Sequence, residues 1–198
     1  MTISPGLAAS RDKAALRRHY RRVRRQHAAG LQQQLDHHLS DFLEPLLRDQ
    51  RRSSDRHVGV FWPLNGEPNL GPALRRLGWP LALPAVAAGR LLYRPWPIGT
   101  VLQPDDCDIP APAAELPALA PVQLVLLLVP ALAVDRGGVR LGYGGGWYDR
   151  LRADPAWRAV PAVVIVPEAC VVDTLPGDPW DIPFDGWIDE GGLRRPQT

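Results

Sequence analysis

Cysteine is scarce in this chain: two residues in 198, Cys107 and Cys170, far apart and neither in a Cys-x-x-Cys pair. That leaves no basis for a disulfide framework or a zinc site, and it fits a reducing compartment. Long apolar runs are missing too. The nearest approach, Leu116 to Val134, is interrupted by Pro117, Pro121, Gln123 and Pro130, and its unbroken apolar core runs only from Leu124 to Val129. A membrane helix needs about 20 apolar residues, so this stretch reads as a fully buried central strand. The first ten residues lack the apolar run of a signal peptide, and a cytoplasmic location is expected. No internal repeat is visible. Two nucleotide motifs are absent: the Walker pattern, which ends Gly-Lys-Ser/Thr, and the dinucleotide fingerprint, which spaces its glycines differently. The net charge of +2 excludes a polyanion binder of the whole-molecule kind.

What is present describes a soluble globular protein. The hydrophobic fraction is 45% and the charged fraction 22%, as in ordinary domains. A chain of 198 residues is expected to form a single domain, 1–198, with a proper core. Its 22 prolines shorten elements and stiffen loops. Residues 10 to 29 predict a helix, with Ser10 as N-cap and Leu16, Tyr20 and Val23 at helical spacing. Gly30 is expected to break it before a second amphipathic helix that carries Leu31, Leu35, Leu39, Phe42, Leu43 and Leu46. Strands are expected at Val58 to Trp62, Leu81 to Pro84, Leu91 to Trp96, Val122 to Val129 and Ala162 to Val166, with a last edge strand at Gly186 to Asp189. Helices are expected at Asn69 to Leu77 and Trp147 to Ala153. The alternation predicts a three-layer α/β/α sandwich around a largely parallel, Rossmann-like mixed sheet. Ligands in such sheets bind at the carboxyl ends of strands.

The most informative stretch is Arg140-Leu141-Gly142-Tyr143-Gly144-Gly145-Gly146-Trp147-Tyr148-Asp149-Arg150. Four glycines in five positions let the backbone turn sharply and approach a ligand closely. Helix N-terminal amides, a cation and a carboxylate suited to magnesium are the parts of a phosphate cradle. A plain tight turn is the competing reading. This stretch resembles the signature loop of the 5-formyltetrahydrofolate cyclo-ligase family, and Val129-Pro130-Ala131-Leu132-Ala133-Val134-Asp135 resembles the strand and turn that lead into it.

Three further blocks extend the resemblance over residues 13 to 189. Residues 1 to 56 hold twelve Lys/Arg against six Asp/Glu, an excess of six positive charges. A solvated helix face explains most of them. A nucleic-acid-binding helix is the alternative, but interleaved aromatics and a recognisable binding fold are lacking. Lys13, Arg17, Arg21 and Arg24 share one helical face. Within Lys13-Ala14-Ala15-Leu16-Arg17, Lys13 and Arg17 match the family's ATP-contacting Lys and Arg. Val60-Phe61-Trp62-Pro63-Leu64-Asn65-Gly66-Glu67-Pro68 reads as a strand ending in aromatics with a carboxylate at the turn tip. Aromatics there can stack on a flat heterocycle, and a core Phe beside a surface turn is the plainer alternative. It is similar to the family's folate-contacting stretch, with Trp62 and Glu67 at the matching positions. Glu67, beside Pro68 in a turn, is expected to be exposed. Among the C-terminal acids, Asp173, Asp178, Asp189 and Glu190 are expected to be solvated loop charges. Asp181 matches the family's magnesium-holding Asp and Asp185 a second Asp beyond it. The chain departs from the family pattern at Trp180 (usually His), Trp147 (usually Tyr) and Ala111 (usually Glu).

The resemblance implies an ATP- and Mg2+-dependent conversion of 5-formyltetrahydrofolate to 5,10-methenyltetrahydrofolate. It assigns Arg140 and Asp149 to catalysis. Lys13, Arg17, Arg140, Gly142, Tyr143, Gly144, Gly145, Gly146, Trp147 and Tyr148 would bind ATP. Trp62, Glu67 and Tyr148 would bind the folate, and Asp149 and Asp181 the metal. The substrates are small molecules, with no nucleic-acid or membrane partner and a monomer expected. A basic-helix nucleic-acid-binding protein of the same fold and a same-fold ATP-dependent enzyme with a changed substrate, suggested by Ala111, are the alternatives.

Overall fold

The computed structural model describes residues 12–50, 54–178 and 181–197. Ser10 and Trp180, and with them the expected N-cap and the departure from histidine, lie outside the described residues.

One 35-residue helix, α1 (Lys13–Leu47), opens the fold. Asp12 caps it, its carboxylate accepting from the Ala14 amide at 2.8 Å. The expected break at Gly30 does not occur. A Cβ at Gly30 would meet nothing within 4 Å, so this glycine is an exposed helical position. Its propensity cost of about 1 kcal/mol is outweighed by the leucines that follow: Leu31, Leu35, Leu39 and Leu43 are fully buried on one face. Tertiary burial decides the matter, as it does for most helices.

The main sheet has seven strands: β1 (His57–Gly59), β2 (Leu81–Ala87), β3 (Arg90–Pro95), β6 (Leu124–Pro130), β9 (Ala162–Ile165), β11 (Gly186–Asp189) and β12 (Gly192–Arg194). Their order is β12-β11-β9-β6-β1-β2-β3. The five inner strands are parallel, and β3 and β12 run antiparallel at the two edges. The mixed, largely parallel sheet is therefore as expected, with one correction. Gly186–Asp189 is not an edge strand: β12, which the sequence did not signal, pairs with it and takes the edge. Two short hairpin partners, β4 (Leu102–Pro104) and β5 (Pro110–Pro112), form a separate ribbon. A small third sheet joins β10 (Val171–Val172), β7 (Ala133–Asp135) and β8 (Arg140–Leu141).

The central strand β6 is buried along both faces. Leu127 and Val129 enter one core with Leu16, Tyr20, Tyr93, Tyr148 and Leu151. Leu126 and Leu128 enter the other, with the leucines of the second half of α1 and Leu74 of helix α2 (Gly71–Arg76). The period-two alternation of a strand explains this split. Helix α3 (Trp147–Ala153) lies on the first face and is followed by the short α4 (Pro155–Arg158). Gly59 in β1 is a packing requirement: a Cβ there would stand 2.6 Å from Leu127 and 2.8 Å from Tyr93. Among the described residues, no helix is long and apolar enough to cross a membrane.

Strands β1 and β6 are parallel neighbours, with Gly59 opposite Leu127. Their carboxyl ends therefore emerge side by side. From the end of β1 runs the turn that carries Trp62 and Glu67. From the end of β6 runs the segment that reaches the glycine loop.

Candidate functional site

The chain between β6 and the loop is organised by a buried carboxylate, Asp135. One oxygen accepts from the Gly137 and Val139 amides at 3.0 and 2.9 Å, closing the β7–β8 turn, and the other accepts from the Leu175 amide at 3.0 Å. This delivers Arg140 to the start of the glycine loop. Gly146 adopts a left-handed φ of +64° as the residue before α3, and Gly144 has φ +110°. Both values disfavour side chains. Gly145 has a different need: a Cβ there would stand 2.6 Å from Nε1 and 2.8 Å from Cδ1 of Trp147.

The loop forms one wall of a cleft of about 350 Å³ at the carboxyl edge of the sheet. Arg17, one turn into α1, donates from Nε to the Gly142 carbonyl at 3.1 Å and lies against Gly144. Arg140 sits beneath the loop with its side chain 5% exposed. Its Nη1 donates to the Pro130 carbonyl at 3.0 Å, its guanidinium stacks 4.8 Å from the Tyr148 ring, and its Nη2 is 3.6 Å from Asp149 Oδ1. Tyr148 is a floor residue. Its hydroxyl accepts from the Tyr93 hydroxyl at 3.4 Å, and burial pushes its pKa up to about 12. Trp147 is covered by the Arg150 guanidinium at 4.4 Å.

Lys13 reaches the same cleft but is paired. Its ammonium lies 2.5 Å from Asp178 and 3.4 Å from Asp181. Burial would lower the Lys13 pKa, but the two carboxylates outweigh it and hold the group above its ordinary value. Asp181 in turn accepts from the Asp178 amide at 2.8 Å. Asp178, expected to be a solvated loop charge, is thus a lining residue of the cleft. Nothing in its proline-rich surroundings distinguishes it, because the contact with Lys13 spans 165 residues. Asp185 takes no part: its carboxylate accepts from the Ala162 amide at 2.7 Å and fixes a strand end.

The opposite wall comes from the end of β1. Trp62 packs edge-on against Trp96, with ring centroids 6.3 Å apart. Phe61, Pro84, Val86, Leu91 and Ile109 continue an apolar surface. The β4–β5 loop is pinned by Asp105, which accepts from the Val86, Cys107 and Ile109 amides. Ala111, where the family pattern has Glu, is buried in β5 and does not line the cleft.

Glu67 requires a correction. It is not an exposed turn residue: its side chain is 2% exposed. One oxygen accepts from Arg24 Nη1 at 3.1 Å and from the Tyr143 hydroxyl; the other accepts from the Leu64 amide at 2.7 Å. Arg24, itself 4% exposed, also donates to the Asn65 carbonyl at 2.9 Å. The sequence placed Arg24 on the face it shares with Arg17 but gave no sign that this face closes over Glu67. Burial raises the Glu67 pKa despite the Leu64 amide and the Arg24 charge. The contact with Tyr143 ties this wall to the glycine loop.

All fourteen residues assigned from the sequence line one cleft. Among the described residues, no three His, Cys, Asp or Glu side chains cluster as a metal cage. Magnesium needs none, because it is commonly held by one or two carboxylates together with substrate phosphates. Asp149, Asp178 and Asp181 line the same cleft, and the Asp149 side chain is 39% exposed.

A family model described as the 5-formyltetrahydrofolate cyclo-ligase family matches residues 9–189. A 5-formyltetrahydrofolate cyclo-ligase from Mycolicibacterium smegmatis is 36% identical over 141 residues, covering 65% of this chain and 71% of that protein. One from Escherichia coli K12 is 31% identical over 134 residues, covering 64% and 74%. The NMR structure of Aquifex aeolicus 5,10-methenyltetrahydrofolate synthetase superposes with a TM-score of 0.69 at 26% identity, covering 94% of this chain and 93% of that one. The Mycoplasma pneumoniae 5,10-methenyltetrahydrofolate synthetase shares the fold, with a TM-score of 0.66 at 22% identity over 89% of this chain and 98% of that one.

Proposed function

The chain belongs to the 5-formyltetrahydrofolate cyclo-ligase family, and from that premise we propose that it closes 5-formyltetrahydrofolate to 5,10-methenyltetrahydrofolate at the expense of ATP. The observation that carries this reading is the sharing of one cleft by two unlike walls. A glycine loop braced by Arg17 faces an aromatic turn that holds Glu67, and Tyr143 joins them. The first suits phosphates and the second a flat heterocycle.

The chemistry needs both. A formamide oxygen is a poor leaving group. It attacks the γ-phosphorus of ATP, the bond from that phosphorus to the β-bridging oxygen breaks, and ADP leaves. The formyl carbon, now bound to a phosphorylated oxygen and cationic through N5, is attacked by the N10 lone pair. A C–N bond forms, N10 gives its proton to solvent, and the C–O bond breaks with loss of inorganic phosphate. The carbon is left bridging N5 and N10. Catalysis is then mainly positioning and charge neutralisation. The amides of Gly144 to Gly146 and the Arg17 guanidinium would cradle the phosphates. Arg140 would support the loop from beneath, with Nη2 toward the cleft. Asp149, with Asp181, would hold magnesium, which shields phosphate charge when bound. Lys13 would meet phosphate by turning from Asp178 and Asp181. Trp62 and Glu67 would orient the pteridine, with Tyr148 beneath them. Formation of the methenyl chromophore by the purified protein, measured by absorbance with ATP or magnesium withheld in turn, tests the reading. No chromophore in the complete mixture would refute it.

A further inference from the structure

Helix α1 sends most of the arginines in its first half to solvent: Arg18, Arg21, Arg22 and Arg25 are exposed. Arg24 is the exception, with 3% of its surface accessible. Its contacts come from three separate segments. Nη1 donates to Glu67 at 3.1 Å and to the Ala131 carbonyl, just past β6, at 3.4 Å. Nη2 donates to the Asn65 carbonyl at 2.9 Å, in the turn that carries Glu67. The guanidinium lies over the Tyr143 ring of the glycine loop, 5.1 Å from its centroid. Glu67 and Tyr143 line the main cleft; Arg24 stands behind them and does not.

Stability alone does not account for this arrangement. A buried ion pair is often matched or bettered by apolar residues of the same volume, and Arg24 also leaves its Nε buried without a partner. The geometry does something an apolar residue could not. A planar guanidinium holds its two Nη groups in a fixed fork, so the Glu67 carboxylate and the Asn65 carbonyl are set relative to each other. The same plane supports the Tyr143 ring.

We propose that Arg24 is a positioning residue for the reaction, one that fixes Glu67 and Tyr143 from behind and so sets the folate wall against the glycine loop. The inference rests on the cyclo-ligase reading of the cleft, in which Glu67 orients the pteridine. Arg24 is the charge that faces Glu67. The other groups around the carboxylate are the Tyr143 hydroxyl and Tyr148, whose pKa burial pushes up to about 12. Cys170, beside Arg24, is also pushed up to about 12 by burial, and Arg21 and Arg25 stand near Arg24. Tyr148 and Cys170 are thus neutral near pH 7. Burial already raises the Glu67 pKa against the pull of Arg24. Loss of the cation raises it further, so the carboxylate form is lost at a higher pH.

The test is steady-state kinetics of the full chain, Arg24→Lys and Arg24→Met from pH 5 to 8, each substrate varied in turn, with thermal melts alongside. Glu67→Gln identifies the acid limb that belongs to Glu67 by its absence. Arg24→Lys keeps the charge but not the fork. It should lower kcat/KM for 5-formyltetrahydrofolate by roughly tenfold, move the KM for ATP less, and leave the acid limb near its wild-type pH. Arg24→Met should lose more and shift that limb up by about one pH unit or more. A role in stability alone predicts lower melting temperatures with wild-type folate kinetics and an unmoved limb, and that result overturns the proposal. So does a loss confined to the KM for ATP. If Arg24→Met does not fold, Arg24→Lys decides: wild-type kcat/KM for the folate overturns the proposal, and a loss in a protein that is folded at the assay temperature supports it. Wild-type protein inactive on 5-formyltetrahydrofolate refutes the cyclo-ligase reading itself, and this inference with it.

Discussion

Replacing Glu67 by Gln perturbs the contact that joins the two walls of the cleft. The carboxylate serves three donors: Arg24 Nη1 at 3.1 Å, the Leu64 amide at 2.7 Å and the Tyr143 hydroxyl. Glutamine keeps the shape but offers one acceptor oxygen and one donor group. If its oxygen faces Arg24, its amide confronts the Leu64 N–H; if it turns over, the amide confronts the guanidinium. Either way one buried donor is orphaned, at a cost of about 1–3 kcal/mol. For a chain of this length each kcal/mol moves the melting temperature by roughly 2–4 °C. The melt should therefore fall by about 2–12 °C, well beyond the roughly half kcal/mol of a surface change. In kinetics the same loss, if it falls on a group that holds the folate, lowers kcat/KM for 5-formyltetrahydrofolate by one to two orders of magnitude. The KM for ATP should move less. Calorimetry and steady-state assays with each substrate varied in turn supply both numbers. A variant that melts within 1–2 °C of wild type with unchanged folate kinetics would refute the argument for Glu67.

Gly145→Val should leave a folded protein whose kcat/KM is down about a hundredfold or more, because the new Cβ collides with Trp147 at 2.6 Å and shifts the amides of the loop. Circular dichroism and turnover decide it, and wild-type activity would count against the phosphate cradle. Asp149→Asn should weaken apparent magnesium affinity by about tenfold or more, since an amide lacks the charge a hard dication needs. An unchanged magnesium titration would remove Asp149 as a ligand. The Lys13 ammonium is held above its ordinary pKa of 10.5, so its stabilisation is complete below that pH and is lost as pH rises through the raised value. The melting gap between wild type and Lys13→Met should therefore be flat from pH 7 to 9 and close above about 10.5. A gap that widens with pH would contradict the pairing with Asp178 and Asp181.

What the sequence disclosed was local. Helix α3 appears at the expected bounds, Trp147 to Ala153, because the glycines and the apolar spacing lie within a few residues of each other. Strand β6 was legible because both its faces are apolar. The break at Gly30 failed because the leucine contacts that override a glycine lie on another layer of the fold. The β12 edge, three residues containing a glycine, has too short a pattern to read. In the site, residue identities were legible and their partners were not. A carboxylate beside a proline looks like a surface charge until Arg24, 43 positions away, closes over it. Likewise Lys13 and Arg140 are cations in any reading, but only the folded chain sets one against Asp178 and the other beneath the loop.

The most direct test follows the formyl oxygen. With 5-formyltetrahydrofolate labelled with oxygen-18 in the formyl group, a single incubation with ATP and magnesium should yield one methenyl product per ADP. The label should appear in the inorganic phosphate. Label recovered in water, or methenyl product formed without ADP, would contradict phosphorylation of the formyl oxygen and with it the role given to the glycine loop.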